Sequence, residues 1–190
     1  MAIKTPGSIL VRILVFLCLF NSCLASAGTI RTAHELDAAL ESAVQCKLEA
    51  WEKLVDSNEE SGSEVFKSLG IVQHSGDVET TYLLPAGTRI FEYGASKVWE
   101  VNTSVDVLYV ELTAGPNSIR RLKERLHMVA PPPVSPYGYM DYLDARFVKV
   151  IKPRRGIHDV DELVTVLGTG YRDDLHYVAI GCWSYSGDPG

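Results

Sequence analysis

Residues 80–112 read TTYLLPAGTRIFEYGASKVWEVNTSVDVLYVEL, and this stretch decides the fold. Thr80-Thr81-Tyr82-Leu83-Leu84 is rich in β-branched, aromatic and aliphatic residues, which suit a pleated, half-buried surface. Pro85-Ala86-Gly87 marks a turn, and residues 88–93 read as the returning strand. Gly94-Ala95-Ser96 turns again into Lys97-Val98-Trp99-Glu100-Val101, and Asn102-Thr103-Ser104 turns into the strand of residues 105–112. Links this short favour antiparallel neighbours, so the stretch predicts a meander of about four strands.

On the N-terminal side, Thr32-Ala33-His34-Glu35 has the T-x-x-E form of a capping box, in which each side chain satisfies a free backbone N–H of the other residue. Leu36, Ala39, Leu40, Ala43, Val44, Ala50, Trp51 and Leu54 then recur at helical spacing. They predict one amphipathic helix of about six turns, with Trp51 as a core anchor and Cys46 at the edge of its apolar stripe. The polar run of residues 56–63 reads as an exposed loop, and residues 65–70 as a short helical turn closed by Gly70.

On the C-terminal side a strand-turn-helix pattern occurs twice, over residues 109–126 and again over residues 147–167. Asn117 or Ser118 would cap the first helix. Asp159 with Glu162 would box the second, and Gly168 would stop it. A last strand, residues 175–183, carries His176, Val178, Ile180 and Cys182 on one face. Between the two units Ala130-Pro131-Pro132-Pro133-Val134-Ser135-Pro136 imposes a stiff, extended path. Tyr137, Tyr139 and Tyr142 make that loop either a rigid recognition surface or a cover for the edge of the core. The expected architecture is α+β: a long N-terminal amphipathic helix on a mainly antiparallel sheet, with two shorter helices. One domain would span residues 28–183, followed by a flexible tail over residues 184–190.

The first 27 residues have a different character. Lys4 and Arg12 precede the apolar run of residues 13–20, and Ala25-Ser26-Ala27 is an A-x-A cleavage signal. The run is too short to span a bilayer, which needs about 20 apolar residues. Export to a periplasm or exterior and cleavage after Ala27 are therefore expected. Lipidation at Cys23 competes with this, but Asn21 fits that processing signal poorly. No stretch of residues 28–190 is apolar enough to span a membrane.

Loss of the leader takes Cys18 and Cys23 with it and leaves only Cys46 and Cys182. In an oxidising compartment two cysteines make one bridge, here between the first helix and the last strand. The rival is a nucleophilic Cys182 beside His176, which an available partner thiol disfavours.

Charge is sectored along the chain. Residues 28–118 balance to −9, residues 119–155 to +6 and residues 156–190 to −5. The basic block includes Arg120, Arg121, Lys123, Arg125, Arg146, Lys149, Lys152, Arg154 and Arg155. It reads as a cationic patch able to dock a partner, or more plainly as solvated faces offset by nearby acids. The negative overall balance argues against nucleic acid.

His158, Asp159, Asp161 and Glu162 are the one dense group of potential metal ligands, and capping of a helix explains them without a metal. No G-x-S-x-G, H-E-x-x-H, Walker or G-x-G-x-x-G motif is present. Neither a metal nor a cofactor is expected. These features favour a non-catalytic binding protein with a protein partner, of the inhibitor or immunity type that neutralises a secreted toxin or cell-wall hydrolase. Its contact residues would be Tyr137, Tyr139, Tyr142, Arg154 and Arg155. The alternatives are a cell-envelope hydrolase with dispersed catalytic residues, or a structural subunit of an envelope assembly.

Overall fold

The computed structural model of the chain describes residues 30–102, 105–131, 143–152, 162–172 and 175–185. Helix α1 spans Ala33–Ala43 and starts where the capping box places it. The Glu35 N–H donates to Thr32 Oγ1 at 3.2 Å, and the Thr32 N–H donates to the Glu35 carboxylate at 3.0 Å. The Arg31 N–H also donates to that carboxylate, and these hydrogen bonds hold it below its ordinary pKa.

The six-turn helix is not formed. The chain leaves α1 after Ala43 and begins a second helix, α2, at Glu49–Glu60. The break is a helix stop built on a cysteine. Cys46 takes the left-handed conformation at φ 61°, its N–H donates to the Ala43 carbonyl at 2.9 Å, and the Lys47 N–H donates to Ser42 at 3.0 Å. That pair of bonds is the Schellman closure, normally assembled on glycine. The same closure ends α2 at Gly62, α3 (Glu64–Leu69) at Gly70 and α4 (Pro116–Leu126) at His127.

Helix α2 also runs through part of the polar stretch expected to be loop. Asn58 is the reason: it is buried, and its Oδ1 accepts the Phe66 N–H at 2.9 Å, tying α2 to α3.

Among the described residues the sheet has eight strands: β1 (Val72–Ser75), β2 (Glu79–Leu83), β3 (Arg89–Ile90), β4 (Tyr93–Asn102), β5 (Val105–Thr113), β6 (Asp144–Lys152), β7 (Glu162–Arg172) and β8 (Leu175–Tyr185). Their order is β1-β2-β4-β5-β8-β7-β6 with β3 beside β4, and every pairing is antiparallel. The meander is present in part: β2, β4 and β5 follow one another with β1 added at the edge, but the expected returning strand of residues 88–93 is reduced to β3, which pairs β4 off this path, so β2 pairs β4 directly. Its second turn lies at Phe91-Glu92, both at positive φ, where Ile90 pairs with Tyr93. Gly94, Ala95 and Ser96 belong to β4, and the register slips between Ala95 and Lys97 instead of turning.

A second expectation is overturned between residues 162 and 172. The predicted helix over residues 158–167 gives way to β7, and residues 153–161 lie outside the described residues. Val164, Thr165, Val166 and Leu167 are all buried because β7 lies between β6 and β8 and is covered on both faces. Such a continuous run lacks the alternation that marks a one-sided strand. Gly168 is a close-approach glycine here: a Cβ would sit 2.3 Å from the Asp144 carbonyl oxygen. Only the β5–α4 unit keeps the expected strand-turn-helix form.

Side chains alternate across the sheet into two clusters. Tyr82, Val98, Val110, Ile180 and Leu167 pair across successive strands and join Leu36, Leu40, Trp51, Leu54, Phe66 and Leu122 from α1, α2, α3 and α4. Helices α1 to α4 therefore pack on one face. Trp99, Tyr109, Val166 and Val148 lie on the other face with Val107, Val164 and Trp183. No helix among the described residues is long and apolar enough to cross a membrane.

Candidate functional site

The joint between α1 and α2 places Cys46 over β8. Cys46 and Cys182 are at disulfide distance, with Cα atoms 4.9 Å apart and a sequence separation of 136. This pair fastens the start of α2 to the middle of the sheet. Immediately beyond it, α2 and the sheet diverge into an open cleft of about 390 Å³.

The cleft walls are apolar. Leu48, Trp51 and Val55 come from the α2 side; Leu108, Leu163 and Cys182 come from β5, β7 and β8. Three carboxylates also line it: Glu52 and Asp56, one helical turn apart on α2, and Glu100 on β4. Apolar walls with a few convergent polar groups are the usual make-up of a ligand pocket.

Glu100 is held from two sides. The Trp51 indole N–H donates to one carboxylate oxygen, and the Tyr82 hydroxyl donates to the other at 2.7 Å. Trp51 packs edge-on against Tyr82 at 5.1 Å between ring centroids, and Phe66 packs edge-on against the same ring at 5.6 Å. Burial and the contact with Glu100 push the Tyr82 phenol far above its ordinary pKa, so it stays a donor. Glu52 keeps its side chain in solvent, yet partial loss of water around it, followed by repulsion from Glu49, Asp56 and Glu100, raises its carboxyl above the ordinary value. Neither Glu52 nor Asp56 forms an ion pair among the described residues.

A second depression, about 550 Å³, lies along the same helix, where Lys47 and Lys53 offset Glu49, Asp56 and Glu60. Its mixed charge gives no comparable field. Among the described residues no group of three His, Cys, Asp or Glu side chains is placed to hold a metal ion.

Of the residues singled out from sequence, Cys46 and Cys182 are brought together. Tyr137, Tyr139, Tyr142, Arg154 and Arg155 lie outside the described residues, as do His158, Asp159 and Asp161. Glu162 opens a strand, so its expected place in a helical first turn is lost. The described part of the basic block is partly engaged. Lys123 lies 4.6 Å over the Phe147 ring and Arg125 lies 5.2 Å over Phe91, with Arg125 also 4.0 Å from Glu92. Arg146 pairs with Asp144 at 2.6 Å.

Sequence reasoning missed the cleft. Glu52 falls between the apolar positions Trp51 and Leu54 of the predicted helix, and its place beside Glu100 in one lining depends on chain 48 residues away in sequence. The one available signal was Glu100 itself, a carboxylate inside a strand rich in apolar residues. Comparison with protein-family models, with curated proteins and with solved structures finds no match to this chain.

Proposed function

We propose that the protein is an exported, non-catalytic binding protein, an inhibitor or immunity protein that neutralises a secreted toxin or cell-wall hydrolase by stoichiometric contact at this cleft. The observation that carries the reading is an open, apolar-walled cleft whose lining includes three carboxylates and whose two walls are cross-linked beside it. A concave site fixed in this way costs little ordering on association. The leader and the Cys46–Cys182 pair support an oxidising compartment. Net acidity of the chain would speed encounter with a cationic partner. Tyr137, Tyr139, Tyr142, Arg154 and Arg155 belong to the proposal as a second contact surface.

The test is inhibition by titration. Immobilised protein is used to recover its partner from an envelope extract of the source organism, and the partner's hydrolytic activity is assayed against added protein. A linear fall to an end point at one equivalent is expected. Undiminished partner activity above one equivalent would refute neutralisation. A blocking Val55→Trp change should abolish the effect.

One observation favours a hydrolase as the second reading. Glu52, open to solvent, and Glu100, held by two donors, are two carboxyl groups lining one cleft, and positioned carboxyl groups are common acid–base residues of hydrolases. Turnover of peptidoglycan or ester substrates, lost in both Glu52→Gln and Glu100→Gln, would replace the binding reading.

A further inference from the structure

We infer that the cleft receives a single lysine or arginine side chain of the partner: a cationic head among Glu52, Asp56 and Glu100, and its aliphatic stem along Leu48, Val55 and Leu163. This rests on the binding reading above and adds the chemistry of the ligand.

The lining carries the argument. The carboxylates come from two different elements, α2 and β4, so a head between them is approached from both sides and not merely attracted to one acidic helix. Two of the three have no counter-ion among the described residues. The third is fixed by Trp51 and Tyr82, each of which occupies one lone pair of one oxygen and leaves acceptor capacity on both.

An independent feature lies on the same face of the sheet. Thr165 pairs with Cys182 across β7 and β8, which puts its side chain on the face that lines the cleft. It is 1% exposed, and its hydroxyl has no hydrogen-bond partner among the described residues. A buried hydroxyl left in that state costs stability; it neighbours the lining residue Cys182 without itself lining the cleft.

The walls decide between kinds of cation. A divalent metal favours an all-oxygen cage, whereas the surfaces between these carboxylates are leucine, valine and indole. A butyl or propyl stem with a charged end matches that alternation, since lysine and arginine bury the stem while the head stays with polar groups. The raised Glu52 carboxyl fits the same picture, because a bound cation would relieve the repulsion that raises it.

The experiment uses the oxidised protein and Nα-acetyl-lysine methylamide, with the arginine analogue alongside and the norleucine analogue as the uncharged stem. The Trp51 indole N–H resonance, assigned with Trp51→Phe, reports occupancy. Both cationic probes should shift it saturably at on the order of millimolar concentration, as expected for one side chain without the rest of a partner. Glu52→Gln and Asp56→Asn should each weaken this about three- to tenfold. Equal binding by the norleucine probe, or cationic binding unchanged in both variants, overturns the inference. So does a shift produced by Ca²⁺ and not by the amine. If the probes fail while Val55→Trp still abolishes partner inhibition, the ligand chemistry is wrong and the binding reading stands. If Val55→Trp also leaves inhibition intact, the cleft is not the binding surface.

Discussion

At the scale of single residues, the fold spends polar groups in two ways. Asn58 is a buried connector, and it satisfies a backbone donor of the next helix. Asn58→Leu would strand the Phe66 N–H, and urea unfolding should show a loss of about 1–3 kcal/mol. Glu52 does the opposite: its surroundings favour the protonated form. A carboxyl raised in the folded state binds its proton more tightly there than in the unfolded chain. Its penalty is therefore absent below the ordinary value of 4.5, grows as pH rises through the folded value, and is fully present at neutral pH. Glu52→Gln should raise stability at pH 7 by about 0.2–0.5 kcal/mol, the size of one exposed like-charge pair on a helix. The gain should shrink as pH falls toward 4.5, and a variant less stable at pH 7 than the parent would contradict this assignment.

At the scale of elements, the structure separates what local pattern specifies from what long-range contact decides. The α1 capping box, the Gly70 stop and the meander apart from its short second strand are local, and these were legible. Cys46 as a helix stop was not, because a left-handed cysteine carries no local signal; it is held by Cys182 from the far end of the chain. Residues 163–167 were misread for a related reason: burial on both faces removes the alternation that distinguishes a strand. The cleft was illegible because its two walls meet only through sheet order. The helix stop makes a sharp prediction. In a Cys182→Ala background, Cys46→Gly should be more stable than Cys46→Ala by about 1 kcal/mol, since only glycine takes that backbone freely. Greater stability of the alanine variant would mean that the two helices fuse once the bridge is gone. In the sheet, a Cβ at Gly181 would fall 2.1 Å from the Leu108 carbonyl oxygen. Gly181→Ala should therefore cost about 3 kcal/mol in thermal or urea unfolding.

At the scale of the whole molecule, the Cys46–Cys182 pair links the helical layer to the sheet beside the cleft. Closing so long a loop stabilises by about 4–5 kcal/mol in the chain-entropy account, and Cys46→Ala should lose about 2–5 kcal/mol. An unchanged melting curve would show that the bridge contributes nothing to the fold. The same bridge makes the cleft a preformed site, and the central claim is that a partner enters there. Photo-crosslinking in the native compartment tests this most directly, with benzoyl-phenylalanine at Val55 inside the cleft and at Lys67 on exposed α3 as the control. One discrete protein adduct is predicted from position 55, absent from position 67 and lost when Glu100→Gln is added. Equal adducts from both positions, or an adduct only from position 67, would contradict it.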